Sequence, residues 1–338
     1  ESKHWMIPIK VDLVKVEEKG HETGMKQLVK QIEALGFKDE LCINTGDSLS
    51  ATEGCRKIAA DSPNLVHIFR LKNQRSLYAE PTLADLARHG AGRKKKYGHK
   101  MVLSDSDTHI PCSHTCVLTV EGKKQRLTVE LTQWNDLLLR GSNNFSSNQH
   151  PINAVRVLVK DMEGKPVFKR PLWIGVMGKR RQEVSMKEAY HNYSQRYDIE
   201  HFFRFSKQNL LMDAYQTPDA EHEKLWWQFA PLAYVQLYLA AQLGELSPKP
   251  WERYLKDWQN ATGQQQEAIF KTPAQAQRAF GKLLQEIGTP ARDCIPRGNP
   301  VGRKTGEQPS QRPDFKIHVT PQLPPRIKIK KACKFIWI

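Results

Sequence analysis

No run of 18 consecutive apolar residues occurs in the 338-residue chain, so no membrane-crossing helix is expected. The opening residues, Glu-Ser-Lys-His-Trp, contain no apolar leader, and export is not expected either. Cysteine is scarce. Six residues, at positions 42, 55, 112, 116, 294 and 333, are too few and too scattered for a disulfide framework and suit a reducing cytoplasm. Internal repeats are lacking. The glycines near position 90 follow no buried strand and so form no dinucleotide-binding fingerprint. No Ser/His/Asp nucleophile arrangement stands out among twelve histidines and many serines. Acid is also in short supply, with 36 Asp and Glu against 52 Lys and Arg, a formal net charge of +16. That imbalance points to a polyanionic partner, with an anionic membrane surface as the competing reading.

The positive charge is unevenly placed. Residues 291–338 hold eleven Lys and Arg against three Asp and Glu, a net of +8, or half of the whole excess. Rich in Pro and Gly as well, this stretch reads as a basic, mostly disordered tail that adds phosphate affinity or merely solubility. A second basic segment, Arg93-Lys94-Lys95-Lys96 followed by Tyr97, lies in a Gly-hinged loop. Contact with a phosphate backbone is one reading of it and a solvated loop the other.

Periodicity sets the coarse architecture. Residues 7–16 alternate apolar and polar and predict a strand, residues 25–35 a helix stopped by Gly36, and residues 41–44 a short strand running into Gly46-Asp47-Ser48. Helical pattern continues to about Ala60, and residues 65–71 form another buried strand. Strand–helix–strand–helix–strand implies crossovers and a mixed sheet. Residues 115–133 and 153–168 are strand-like and read as an all-β insertion. A strand at 172–178 precedes a helix starting at Ser185 or Met186 and carrying Glu200. An apolar helix over 220–243 is predicted to be core through Trp226, Phe229, Leu232 and Leu237, and Thr272-Pro273 opens a last helix closed by Gly288. The implied segments are 1–78, the first part of an α/β core; 79–168, the basic loop and β-rich insertion; 169–290, the rest of the core with C-terminal helices; and 291–338, the tail.

On a single helix, Tyr193, Arg196, Glu200 and Lys207 fall within an arc of roughly 60° over about 21 Å, with Arg204 beside them. A lone carboxylate bordered by cations is what metal-assisted phosphodiester chemistry needs, whereas a solvated face laced with ion pairs is the plainer reading. The spacing Tyr193-x2-Arg196-x3-Glu200-x6-Lys207 resembles the Tyr-Arg-Glu-Lys signature of bacterial insertion-sequence transposases with an Asp-Asp-Glu active site. Cys42-Ile-Asn-Thr-Gly-Asp47-Ser48 is similar to that family's second-aspartate segment. Phe168-Lys-Arg-Pro-Leu-Trp173 and the run from Trp226 to Leu237 look like its flanks of the glutamate helix. About residues 5 to 305 share the resemblance.

The resemblance implies a ribonuclease H-like mixed sheet with a β-rich insertion between Asp47 and Glu200. Both acids would be catalytic and would bind Mg²⁺, with Mn²⁺ as a substitute. Tyr193, Arg196, Arg204 and Lys207 would grip DNA, helped by Arg93, Lys94, Lys95 and Lys96. The implied activity is cleavage and strand transfer at inverted-repeat ends, by a homodimer in the bacterial cytoplasm at the nucleoid. The family's first aspartate has no counterpart: Asp12 is the only early candidate, and its neighbours do not match. The expectation is therefore a fragment lacking the first strands and its first metal ligand, with little activity of its own. Two other readings stand beside it, a non-catalytic DNA-binding remnant and a simple metal-dependent nuclease. His109, Cys112, His114 and Cys116 have zinc-ligand types, but no second paired cluster, and read as an ordinary loop.

Overall fold

The computed structural model describes residues 5–15, 17–87, 95–121, 125–141, 145–214, 219–241 and 272–287, the strand Cys333–Trp337, and positions 243, 251 and 306. The chain divides into two compact units, Glu1–Val235 with Cys333–Ile338, and Gln236–Ala332. Among the described residues no helix is long and apolar enough to cross a membrane.

The protein is a mixed α/β structure built on one six-stranded sheet. In chain order the strands are β1 (Val11–Lys15), β2 (Cys42–Gly46), β3 (Leu65–Leu71), β4 (Ser76–Tyr78), β5 (Lys100–Val102), β6 (His114–Glu121), β7 (Arg126–Leu137), β8 (Ile152–Lys160), β9 (Leu172–Met177) and β10 (Cys333–Trp337). The sheet order is β2-β3-β9-β8-β7-β6. Only β2 and β3 run parallel, as the crossover helix α2 (Glu53–Asp61) between them requires. Every other pairing in the sheet is antiparallel. The β6–β8 strands expected as an insertion thus hydrogen-bond into the same sheet as β2 and β3. The predicted first strand does form, but it pairs antiparallel with β10 outside that sheet. Its partner lies over 300 residues away, beyond the reach of any local pattern. Of the tail's predicted disorder, only β10 and position 306 fall on described residues.

Period-two alternation with apolar cover on both faces explains why the central strands read as mostly apolar runs. Phe69, Leu71, Trp173 and Met177 face one side, where β4, β5 and α2 cover them together with Trp134 and Phe145. Val66, Ile68, Ile174 and Val176 face the other, packed with Ala189 and Tyr193 of α4 (Met186–Gln195). Helix α1 (Gly20–Ala34) packs beside α2, burying Met25 and Ile32 against Cys55, Ala59 and Leu65.

Helix α6 (Ala220–Ala240) corrects one prediction. Phe229 and Leu232 are 62% and 55% exposed rather than core. From Leu225 on the helix is apolar except for Gln228 and Gln236, and only the side bearing Ala230 and Tyr234 is buried. Tyr234 anchors that side through the rings of Trp5, Phe202 and Phe205, at centroid distances of 5.1, 4.8 and 5.9 Å. Since Phe202 and Phe205 belong to α5 (Asp198–Asn209), this cluster also fixes the helix that carries Glu200. In the second unit, Thr272 caps the helix Pro273–Ile287 by exchanging hydrogen bonds with Gln275.

Candidate functional site

Asp47 follows β2 at the carboxyl end of the parallel pair, where open α/β sheets present side chains to a crevice. Its turn is closed by three bonds. Asp47 Oδ1 accepts from the amides of Leu49 (2.8 Å) and Ser50 (3.2 Å), and Ser50 Oγ donates to the Asp47 carbonyl at 2.7 Å. Neither amide bond uses Oδ2. Beneath the turn lies His67 of β3, fully buried, with Nε2 3.1 Å from the Ser50 carbonyl.

Burial lowers the His67 pKa from 6.5 to about 4, partly opposed by the Ser50 and Asn44 carbonyls. The unfolded chain therefore takes up a proton that the folded one refuses between those values. Stability is expected to be flat above pH 6.5 with respect to this group and to fall as the pH drops towards 4. Denaturant midpoints across that range, compared with His67→Gln, measure its contribution.

The helix predicted to carry the whole basic stripe is two helices. Ser185 and Glu188 form a capping box that starts α4. Ten residues later the ladder slips. Asn192 Nδ2 and Ser194 Oγ donate back to the carbonyls of Glu188 and Tyr190, at 2.9 and 2.8 Å, a pattern that bends helices. The Arg196 amide then bonds Tyr193 O, and the Glu200 amide bonds Tyr197 O, both three residues back. Helix α5 restarts with Asp198 and Glu200 in its first turn, where carboxylates favour the positive helix end.

Across this junction the stripe passes from buried to exposed. Tyr193, 4% exposed, packs against the sheet, and burial raises its pKa against the pull of Arg196 and Arg70. Arg196 sits at the junction, its guanidinium 5.8 and 4.8 Å from the ring centroids of Tyr193 and Tyr197 and 3.7 Å from Glu200 Oε1. Its Nε is buried without a hydrogen-bond partner. Glu200 is about half exposed, Arg204 is exposed, and Lys207 lies 3.8 Å from Asp213.

Two clefts flank the Asp47 turn. One, of about 740 Å³, is lined by Asp47, Asn44, Gly20 and His21 together with Arg196 and Phe203 of the helix junction. Asp47 and Arg196 thus meet in one crevice; Glu200 lies outside its lining and reaches it only through its ion pair with Arg196. The other cleft, of about 670 Å³, begins at Ser48 and gathers Arg70, Lys72 and Arg170 with Tyr190, Tyr193 and Tyr197. Cations interleaved with aromatic faces can hold phosphates and stack bases. Sequence reasoning missed Arg70, Arg170, Tyr190 and Tyr197. A signal existed for the first: Arg70 is the one exposed residue in the otherwise buried strand β3.

In the basic loop, Lys95 pairs with Asp85 at 2.8 Å and Lys96 is exposed; Arg93 and Lys94 lie outside the described residues. Asp12 pairs with Lys10 and Lys224, at 3.5 and 3.2 Å, and does not line the Asp47 cleft. His109 packs edge-on to Trp134 and Trp173 with Nε2 at the Val102 carbonyl. Among the described residues no group of three or more His, Cys, Asp or Glu converges as metal ligands would. Neither a family model nor a curated protein sequence matches the chain.

Proposed function

We propose that the chain is a DNA-processing protein of the insertion-sequence transposase type, with a ribonuclease H-like core that presents Asp47 and Glu200 to a phosphodiester backbone. The observation that carries the reading is the crevice at the carboxyl end of β2, where Asp47 meets Arg196 and a second cleft rich in arginine and tyrosine adjoins. The net charge of +16 and the Tyr193-Arg196-Glu200-Lys207 spacing support it independently of that geometry. Arg196, Arg70 and Arg170 would hold phosphates, and Tyr190 and Tyr197 would offer faces to bases. Arg204 and Lys207, on the outer side of α5, would extend the track along the backbone.

The acids suit one Mg²⁺ better than two. That ion commonly binds through one or two carboxylates, completing its shell with water and substrate phosphate. Asp47 Oδ2, unused by the turn, and Glu200 would have to converge to make such a donor set, whereas a two-ion cage needs more ligands than the described residues gather. Bound there, the ion would supply Lewis-acid activation of the scissile phosphate. Arg196 restrains Glu200 meanwhile, and must share its guanidinium between that carboxylate and an incoming phosphate.

With two of the family's three acids recognisable, purified residues 1–338 are expected to bind duplex DNA but to give little or no Mg²⁺-dependent strand transfer. Fluorescence anisotropy across a salt series should show a steeply negative log–log slope. Absence of binding at low salt would overturn the proposal. Robust strand transfer would overturn the incomplete-site reading. A non-catalytic DNA-binding role is the second reading, favoured by the Arg196–Glu200 ion pair, which engages the carboxylate that catalysis would need.

A further inference from the structure

His67 is the most deeply buried ionisable side chain beside the site, and nothing in the proposed chemistry uses it directly. It lies on β3 in register with Asn44 of β2, three residues ahead of Asp47. Its ring stacks on Phe69 at 5.1 Å with an interplanar angle of 27°, which fixes the imidazole plane. Nε2 points at the Ser50 carbonyl at 3.1 Å, while Nδ1 is buried without a hydrogen-bond partner. A carbonyl can only accept, so the contact with Ser50 is a hydrogen bond in the tautomer that carries the proton on Nε2. The neutral form that this requires is the one burial favours.

Ser50 is the far end of the Asp47 turn. Its amide donates to Asp47 Oδ1, its hydroxyl donates to the Asp47 carbonyl, and its own carbonyl is held from below by His67. The close approach depends on Gly46. A Cβ there would collide with the Ser50 side chain and press on His67 Cε1 at 3.2 Å. The imidazole, the glycine and the serine thus form one packed unit under the acid, and the turn above it is half exposed.

We infer that His67 is a positioning residue: by donating Nε2–H to the Ser50 carbonyl it locks the turn that aims the Asp47 carboxylate into the cleft. This inference rests on the reading of Asp47 as a metal-binding acid, but its geometric core is testable without it. It also accounts for a histidine among the buried residues of a strand otherwise made of Leu, Val, Ile, Phe and the exposed Arg70.

The test compares the unmodified protein with His67→Phe, which keeps the stacked ring and loses the donor, His67→Gln, which can restore an N–H, and Asp47→Asn. Hydrogen exchange at the Leu49 and Ser50 amides should quicken by roughly tenfold in His67→Phe and return towards normal in His67→Gln. Mn²⁺ affinity of the DNA-bound protein should fall by roughly 10- to 100-fold in His67→Phe, as loss of an outer-shell partner does elsewhere. Unchanged exchange at both amides in a folded His67→Phe protein would overturn the inference. If that variant does not fold, ¹⁵N-histidine NMR of the unmodified protein decides: an Nε2–H tautomer supports the role, and an Nδ1–H tautomer overturns it. Mn²⁺ uptake that survives Asp47→Asn would discard the metal role of Asp47 while leaving the exchange result to judge His67.

Discussion

Replacing Arg196 with methionine is expected to weaken duplex DNA binding by about 1–3 kcal/mol and to reduce the salt slope by about one unit. Methionine keeps most of the apolar stem beneath the guanidinium that contacts the Tyr193 and Tyr197 rings, so the helix junction should survive. What is lost is a guanidinium that lines the Asp47 cleft with its Nε desolvated and unpartnered. A group so placed has more to gain from a phosphate than a solvated cation does. Lys95→Met provides the contrast. That ammonium is half exposed and already paired with Asp85, so its removal should change binding much less. Anisotropy titrations of both variants at three salt concentrations check the difference. Equal losses in the two would mean that Arg196 contributes only bulk charge.

Trp173→Ala is expected to destabilise the fold by about 3–5 kcal/mol, a large share of the roughly 5–15 kcal/mol that holds a domain together. Trp173 is fully buried on β9, between Trp134 at 5.3 Å and His109 at 5.5 Å, in the cluster that seals one face of the sheet. Its indole Nε1 nevertheless has no hydrogen-bond partner. Trp173→Phe should therefore cost far less than its lost volume implies, because it also removes an unsatisfied buried donor worth about 1–3 kcal/mol. Urea midpoints at constant slope measure both. A phenylalanine variant as unstable as the alanine one would mean that the N–H is satisfied in solution.

Much of the architecture was legible where burial and period coincide. Residues 65–71 predict β3 to the residue, because a strand buried on both faces announces itself as a mostly apolar run, broken here only by His67 and Arg70. The start of α4 at Ser185 was readable for the same kind of local reason. Failures came where local pattern is blind to competing hydrogen bonds or remote partners. A 100° period runs smoothly through residues 193–207, and nothing in it registers that Asn192 and Ser194 donate back into their own helix just before the three-residue turn at Arg196. The four-residue spacing thus brought Arg196 and Glu200 together as foreseen, while Tyr193 was drawn into the sheet core. Phe229 and Leu232 misled for a different reason: apolar composition says how much surface a helix could bury, not which side finds a partner. The second cleft escaped notice because its cations, Arg70, Lys72 and Arg170, come from segments a hundred residues apart that only β3–β9 pairing joins.

The decisive measurement is Mn²⁺ uptake by the complex of residues 1–338 with duplex DNA, followed by electron paramagnetic resonance. The unmodified protein, Asp47→Asn and Glu200→Gln should all bind the DNA, and only the first should take up the ion with appreciable affinity. Uptake unaltered by either substitution would contradict a cation shared between the two carboxylates, and with it the proposed site.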